Sequence, residues 1–211
     1  VKIFPNRPDM LSEQGFARAF KTFIGQAKGL PKYDMKPSGE KVIIDKSLTG
    51  VRPYTACAIA RGLKLDDEKI REIIQIQEKL HITYGRNRIT FKALKPEEIK
   101  FRPLEAGWEM DGNEVLEDTE TGKKYAPLLK GLKKYPVFLD GENKVLSMPP
   151  IINSHDVGKV ELSTTEVFIE CSGFDFEVLS KGLNMVITAL ADMGAKIETM
   201  ELEYPNEKKI T

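Results

Sequence analysis

Cysteine and histidine are almost missing from these 211 residues, which contain two of each. Cys57 and Cys171 lie far apart and form no C-x-x-C pair, which leaves no disulfide framework to propose. They read as buried or free thiols of a reducing compartment, so a cytoplasmic location is expected. A zinc set drawn from Cys57, Cys171, His81 and His155 has no two members at ligand spacing, and no metal is expected. No G-x-S-x-G, no Walker loop and no G-x-G-x-x-G after a strand occurs, so the common hydrolase and nucleotide-binding signatures are excluded. An excess of one charge is also lacking: 32 Lys and Arg face 32 Asp and Glu. Phosphates are therefore not held by bulk charge, although a local basic patch stays open. The apolar runs are too short to span a bilayer and no secretory segment is visible, so no membrane partner is expected.

What is present suits a soluble globular protein, with 41 % hydrophobic and 30 % charged residues. The length allows one large domain, or one domain with a small companion. "PNRPDMLSEQGFARAFKTFIG" predicts a turn and a helix, with Ser12 as cap, Glu13 at the positive end, a stripe of Phe16, Ala19, Phe20 and Phe23, and Gly25 as stop. "KVIID" predicts a strand after a Lys-, Gly- and Pro-rich loop, and a boundary is placed near residue 40. "LDDEKIREIIQIQEKLH" predicts a helix burying Ile70, Ile73, Ile74 and Leu80, with Gln77 on the apolar face as a boundary residue or a pocket-lining group. "RITFKAL", "YPVFLD", "KVLSM", "EVFIEC" and "KIETMELEY" predict strands, and "LDGEN" a hairpin turn with Asp and Gly at positive φ. "FEVLSKGLNMVITALADMGAK" predicts a long helix with Leu179, Leu183, Val186, Ile187 and Leu190 on one face and Gly194 as stop. Helices and strands mix without strict alternation, so the expected class is α+β: a mixed multi-layer domain of sheets flanked by helices, with a small helical N-terminal piece. A first residue other than methionine and a strand running into a charged tail suggest a piece of something longer.

One passage stands out. "VLSMPPIINSHDVGKV" runs from an apolar strand into Pro149 and Pro150, which cannot donate to a sheet ladder, then Ile151 and Ile152, then Asn153, Ser154, His155 and Asp156. A stiff apolar wall beside short hydrogen-bonding groups suits a ligand with a ring and a polar edge. A Ser154–His155–Asp156 triad is not expected, because neighbours on an extended chain point to opposite faces. In "HITYGRNR", Arg86 and Arg88 are either cations at a helix C-terminus or a grip on phosphate or ribose. Composition and pattern go no further than this.

Taken together, "FPNRPDMLSEQGFARAF", "VRPYTACAIARGL", "QEKLHITYGRNR", "IKFRPL", "YPVFLD", "VLSMPPIINS" and "EVFIEC" resemble the archaeal/eukaryotic type of phenylalanyl-tRNA synthetase β subunit, over nearly the whole chain. The resemblance implies that residues 1–40 end the N-terminal module, 41–198 form the editing module and 199–211 lead to a following module. Such a module hydrolyses the ester joining tyrosine to the tRNA for phenylalanine. It needs no cofactor; ATP and Mg belong only to charging by the whole enzyme. The implied partners are tyrosine-bearing tRNA, the catalytic α subunit and the rest of the β subunit. The glutamate with which the bacterial type contacts the tyrosine hydroxyl falls at His155 here, so position carries over and chemistry does not. Thr164 matches a threonine at the start of a family strand. Family members carry about a dozen or more further residues, with a His-Asp stretch, where "GRNR" here runs straight into "ITFKAL". Both flanks look intact, so a skipped mobile loop at Arg88–Ile89 is the expectation.

An aminoacyl ester is already activated, so bound water suffices as nucleophile. The expected oxyanion donors are hydroxyls and backbone N–H groups near Asn153 and Ser154. Pro149, Pro150, Ile151, Ile152, His155 and Thr164 are the expected substrate wall, with Gln77, Arg86 and Arg88 for the amino group, ribose or phosphates. The competing expectation is a non-catalytic module that positions tRNA or braces the subunits.

Overall fold

The computed structural model describes residues 2–3, 6–10, 12–77, 81–83, 88–206 and 209–210, without the side chains of residues 8, 73–83 and 209–210. In chain order the first half holds α1 (Glu13–Phe23), β1 (Lys36–Ile44), β2 (Tyr54–Arg61), α2 (Asp67–Gln77), β3 (His81–Thr83), β4 (Arg88–Leu94), β5 (Lys100–Phe101) and β6 (Met110–Asp111). Then come α3 (Gly112–Asp118), α4 (Glu120–Tyr125), β7 (Tyr135–Leu139), β8 (Val145–Met148), β9 (Ile152–Asn153), β10 (Glu166–Gly173), α5 (Phe176–Asp192), β11 (Lys196–Glu203) and β12 (Lys209–Ile210). The α+β expectation holds.

Ten strands form one sheet in the order β3-β10-β2-β11-β1-β4-β7-β8-β9, with β12 paired to β11. Most pairs are antiparallel, while β1 runs parallel to both β11 and β4. The sheet curls until its two ends meet: β3 packs against β8 and β9. Curling gives the sheet an inside. There Phe91 stacks on Phe138 at 4.1 Å, and Phe138 meets Phe168 edge-on at 5.8 Å, with Ile44, Ile59, Leu146 and Met200 around them. Offset and edge-on pairs of this kind add stability beyond the area they bury.

Two outer layers cover the sheet. Helix α5 lays Leu183, Val186, Ile187 and Leu190 on Ala56, Ala58, Ala60, Val167 and Ile169, a bed of small and β-branched residues. Its start is fixed by Asp175, whose carboxylate accepts the N–H groups of Glu177 and Val178, and Gly194 closes it at φ 99°. The outer side of β7 and β8 is covered by α3 and by the two-stranded β5–β6 pair, through Phe101, Met110, Val115, Val137 and Leu139. Strand β2 was not foreseen, because "YTACAIAR" is buried on both faces and shows no alternation.

Several expectations need correction. Helix α1 forms with Ser12 accepting from Gly15, but of its stripe Phe20 is about half exposed and Phe23 lies mostly in solvent. The helix is tied down by polar contacts instead, Arg18 and Tyr33 both bonding Asp192 at the end of α5. In "LDGEN" the residue at positive φ is Asn143, and Asp140 shapes the turn by accepting the N–H groups of Glu142 and Lys144. Boundaries at 40 and 198 fall inside β1 and β11, two adjacent strands of the same sheet, so residues 36–40 and 199–203 belong to it. Ile70 is half-buried as expected of α2, while the expectations for Ile73, Ile74 and Leu80 lie outside the described side chains.

Phe138 touches both other rings and is fully buried. Phe138→Ala is expected to cost about 3–5 kcal/mol, read as a lower urea midpoint at unchanged slope. A cost under about 1 kcal/mol would mean that the three rings do not hold the curl.

Candidate active site at the seam of the curled sheet

The proline pair makes the turn of the β8–β9 hairpin. Ile151 N–H donates to the Met148 carbonyl at 2.8 Å, and the Pro149–Pro150 peptide is cis. Neither proline sits in a strand, so no ladder donor is missing. The expected wall is only partly a wall: Ile151 and Ile152 pack in the outer core with Phe101 and Val115, Pro149 is buried, and Pro150 is half-exposed.

Facing residues in antiparallel strands project to the same side. Asn153 faces Ser147, and Ser147 faces Phe138, so both polar side chains join the aromatic interior. The Asn153 amide reaches the Gly158 carbonyl at 3.5 Å, and the Ser147 hydroxyl has no hydrogen-bond partner among the described residues. Ser154 turns the other way, bridging to Pro103, and its hydroxyl accepts the Asp156 N–H. The backbone N–H groups expected to hold an oxyanion are committed to the fold. Ser154 donates to the Leu146 carbonyl at 2.9 Å and His155 to the Arg102 carbonyl at 2.8 Å. The Ser154 and His155 N–H groups are therefore not free to hold an oxyanion in this fold. Residues 155–157 form a turn, which overturns the expectation of opposite faces: His155 Nδ1 lies 3.6 Å from Asp156 Oδ1. That is too long for a hydrogen bond. The Arg102 guanidinium holds Asp156 instead and keeps its carboxyl below the usual carboxylate range.

The remaining expected residues do not converge with these. Thr164 precedes β10 in a turn where its hydroxyl accepts the Glu161 N–H. Arg88 is exposed at the start of β4, three strands from β9. Arg86 and the Gln77 side chain lie outside the described residues.

The group that sequence reading missed is Glu170. On β10 it alternates with Ile169 and Cys171 and shares the inner face with Phe168, opposite Cys57 on β2 and His81 on β3. It is fully buried, and neither carboxyl oxygen has a hydrogen-bond partner among the described residues. Burial pushes its pKa up to about 7, against the pull of the Arg52 charge and the nearby Ser172 hydroxyl. Arg52 is fixed by its Nε donating to Ser172 Oγ at 2.8 Å, and burial lowers its own pKa. The partial signal in "EVFIEC" was a second glutamate in the middle of an apolar run, which becomes inward-facing only once the strand is paired. Among the described residues no cluster of His, Cys, Asp and Glu could hold a metal, and no helix is long and apolar enough to cross a membrane.

No protein-family model matches the chain. Curated relatives do. The phenylalanine–tRNA ligase β subunit of Thermococcus sibiricus is 41 % identical over 215 positions, covering 94 % of this chain and 38 % of the relative. That of Methanosphaera stadtmanae is 39 % identical over 221 positions, covering 97 % and 39 %. In fold, the crystal structure of an N-terminal fragment of the phenylalanyl-tRNA synthetase β-subunit from Pyrococcus horikoshii superimposes with a TM-score of 0.92 at 39 % identity, over 97 % of this chain and 63 % of that one. The chain is a homologue of phenylalanine–tRNA ligase β subunits. It spans about two fifths of the length of the curated relatives it matches. The matches occupy 215 and 221 positions, whereas 94 % and 97 % of 211 residues are about 198 and 205, so roughly 16 to 17 positions of these β subunits have no counterpart here. The shortfall is of the size expected at Arg88–Ile89, two residues that β4 joins directly.

A carboxyl whose pKa is raised on folding binds protons more tightly in the native state, so it favours folding below its unfolded pKa, and that contribution is lost as pH rises through the folded one. For Glu170 the window runs from 4.5 to about 7. Relative to Glu170→Gln, the stability of the parent β-subunit homologue is expected to fall between pH 5 and 8 by on the order of 3 kcal/mol, measured by urea unfolding. A difference independent of pH would mean that Glu170 is solvated or paired.

Proposed function

We propose that this chain carries an editing site that hydrolyses tyrosine from mischarged tRNA for phenylalanine, in a module that takes in the whole of β1 and β11, residues 36–203. The observation that carries the reading is Glu170, a buried carboxyl without a hydrogen-bond partner among the described residues, beside an aromatic interior. A phenol hydroxyl entering the curled interior supplies that partner. A phenylalanine ring leaves it unpaired, and sites built on such a hydrogen bond reject the ligand lacking it by about 10⁴–10⁵. An apolar charging pocket facing the reverse problem reaches only about 10². The two sites complement each other.

In this reading Glu170 receives the hydroxyl and Ser147 borders the ring. The Asn153 amide and the Arg52–Ser172 pair flank the ester carbonyl, where donors stabilise the charge of a tetrahedral intermediate. Bound water attacks, and the vicinal ribose hydroxyl of the substrate passes the proton to the leaving oxygen. His155 and Thr164 stand outside this set, and Ser154 only shapes the loop. No cofactor enters the step. Charging with ATP and Mg belongs to the full enzyme with its α subunit, in the cytoplasm.

The exposed Phe20 and Phe23 favour a second reading, a module that braces the subunits or positions tRNA. Bracing gives no reason to bury in the sheet a carboxyl that has no hydrogen-bond partner among the described residues, a placement that costs stability.

The test is tyrosine release from tyrosyl-tRNA, with phenylalanyl-tRNA as control, by the full α/β enzyme and two variants with intact charging. Asn153→Ala is expected to slow release at least tenfold. Glu170→Gln is expected to cut the preference for the tyrosyl ester at least tenfold. No release by the parent enzyme would leave bracing as the function, and an unchanged preference in Glu170→Gln would remove Glu170 from hydroxyl recognition.

A further inference from the structure

The outer layer that carries α3 and α4 is divided by charge. Seven acids and no base lie between Glu105 and Glu120; between Thr121 and Leu139 come five lysines and no acid. Lys123, Lys124, Lys130, Lys133 and Lys134 are all exposed. The dipole of α4 accounts for two of them, since Lys123 and Lys124 fall in its last turn, where cations are favoured. Lys130, Lys133 and Lys134 follow in the stretch leading to β7 and have no such reason. Elsewhere lysines are neutralised by neighbours: Lys41 by Glu203, Lys144 by Glu142, Lys159 by Glu161 and Lys181 by Glu177. Lys123, Lys130, Lys133 and Lys134 have no ion-pair partner among the described residues. Lys123, Lys130 and Tyr135 also line a hollow of about 380 Å³. Burial and the charge of Glu117 raise the Tyr135 pKa, so its hydroxyl stays a donor.

We infer that the lysine surface running from α4 to the start of β7 docks the phosphate backbone of an RNA, holding the paired arm of a molecule whose 3′ end reaches the curled interior. The inference rests on the editing reading for the identity of the RNA. Strand directions support the placement. β1, β4, β8, β10 and β11 run one way through the sheet, and β2 and β7 run the other. The start of β7, which Lys133 and Lys134 directly precede, therefore lies at the same end of the sheet as the Pro149–Pro150 turn and the end of β10. The chemistry of the patch supports the partner. Lysine is a compact charge on a flexible stem, suited to phosphates read without regard to base sequence. Protein interfaces are depleted in lysine, so five exposed lysines fit a polyanion better than a folded protein surface. A hollow between two of them, with a phenol donor on its wall, has the groups to hold one phosphate.

The test titrates the full α/β enzyme with tRNA for phenylalanine carrying tyrosine through a non-hydrolysable amide, over a series of salt concentrations. The logarithm of the affinity falls linearly with the logarithm of the salt concentration, by about 0.9 for each phosphate neutralised on a duplex. Lys130→Gln, Lys133→Gln and Lys134→Gln together are expected to weaken binding on the order of tenfold at about 0.1 M salt and to reduce the slope by about 2–3. Lys64→Gln, Lys144→Gln and Lys196→Gln together remove the same charge at the opposite end of the sheet and are expected to leave both unchanged. All six lysines are exposed, so neither variant disturbs the core. Equal losses in the two variants would make the effect one of bulk charge and overturn the inference, as would an unchanged slope in the first. So would loss of the α subunit from the first variant, which would make the patch a protein contact. The phenylalanyl amide is titrated in parallel and no ester is broken. A slope that depends on Lys130, Lys133 and Lys134 therefore upholds the surface even if tyrosine release by the parent fails.

Discussion

The meeting of β3 with β8 and β9 is the contact on which the rest of the molecule depends. An open sheet of this length would leave one face to water. Closing it buries that face against itself, and the Phe91, Phe138 and Phe168 rings fill the space. The same closure removes water from Glu170, which lies on the inner face two residues beyond Phe168. A surface glutamate is an unremarkable anion. Sealed in this interior it becomes a group whose pKa is raised to about 7, an effect of desolvation that the nearby Arg52 charge opposes. Fold and site share one cause.

The cost of that arrangement is distributed through ordinary packing. Helix α5 covers the outer side of β2 and β10 on a bed of alanines, and the α3 layer covers β7 and β8. Arg61 gathers Glu40, Glu166 and Glu198 from three neighbouring strands, tying β1, β10 and β11 to β2 at the edge of the sheet. These contacts hold the frame in which one unpaired carboxyl is tolerated. Fully buried ionisable groups without partners are rare in proteins, and their usual explanation is a task.

How much of this was legible in the sequence differs from element to element. Helix α5 and the strands β4 and β11 were readable because each buries a periodic face, and β7, β8 and β10 because their runs carry large apolar and β-branched residues. Strand β2 was not, since small residues buried on both sides carry no period. The odd Pro-Pro-Ile-Ile-Asn-Ser run lies at the seam, and Asn153 faces the interior. Which atoms remain available there could not be read from residue types. The N–H groups of Ser154 and His155 are spent on Leu146 and Arg102, carbonyls close in space only after the hairpin folds back on itself. Ile151 and Ile152 went to the outer core for the same reason. Glu170 was hidden by its neighbours, since the two glutamates of "EVFIEC", Glu166 and Glu170, share one face and give no indication of whether it is buried until the strand is paired.

The most direct test of the central claim is the protonation of Glu170 itself. Carbon-13 NMR of glutamate side-chain carboxyls, with the signal assigned by its loss in Glu170→Gln, follows that group alone as pH is raised. The account expects a transition near pH 7, well above the other glutamates. A transition in the ordinary glutamate range would contradict it, because the seam would then be open to water and the site as described would not exist.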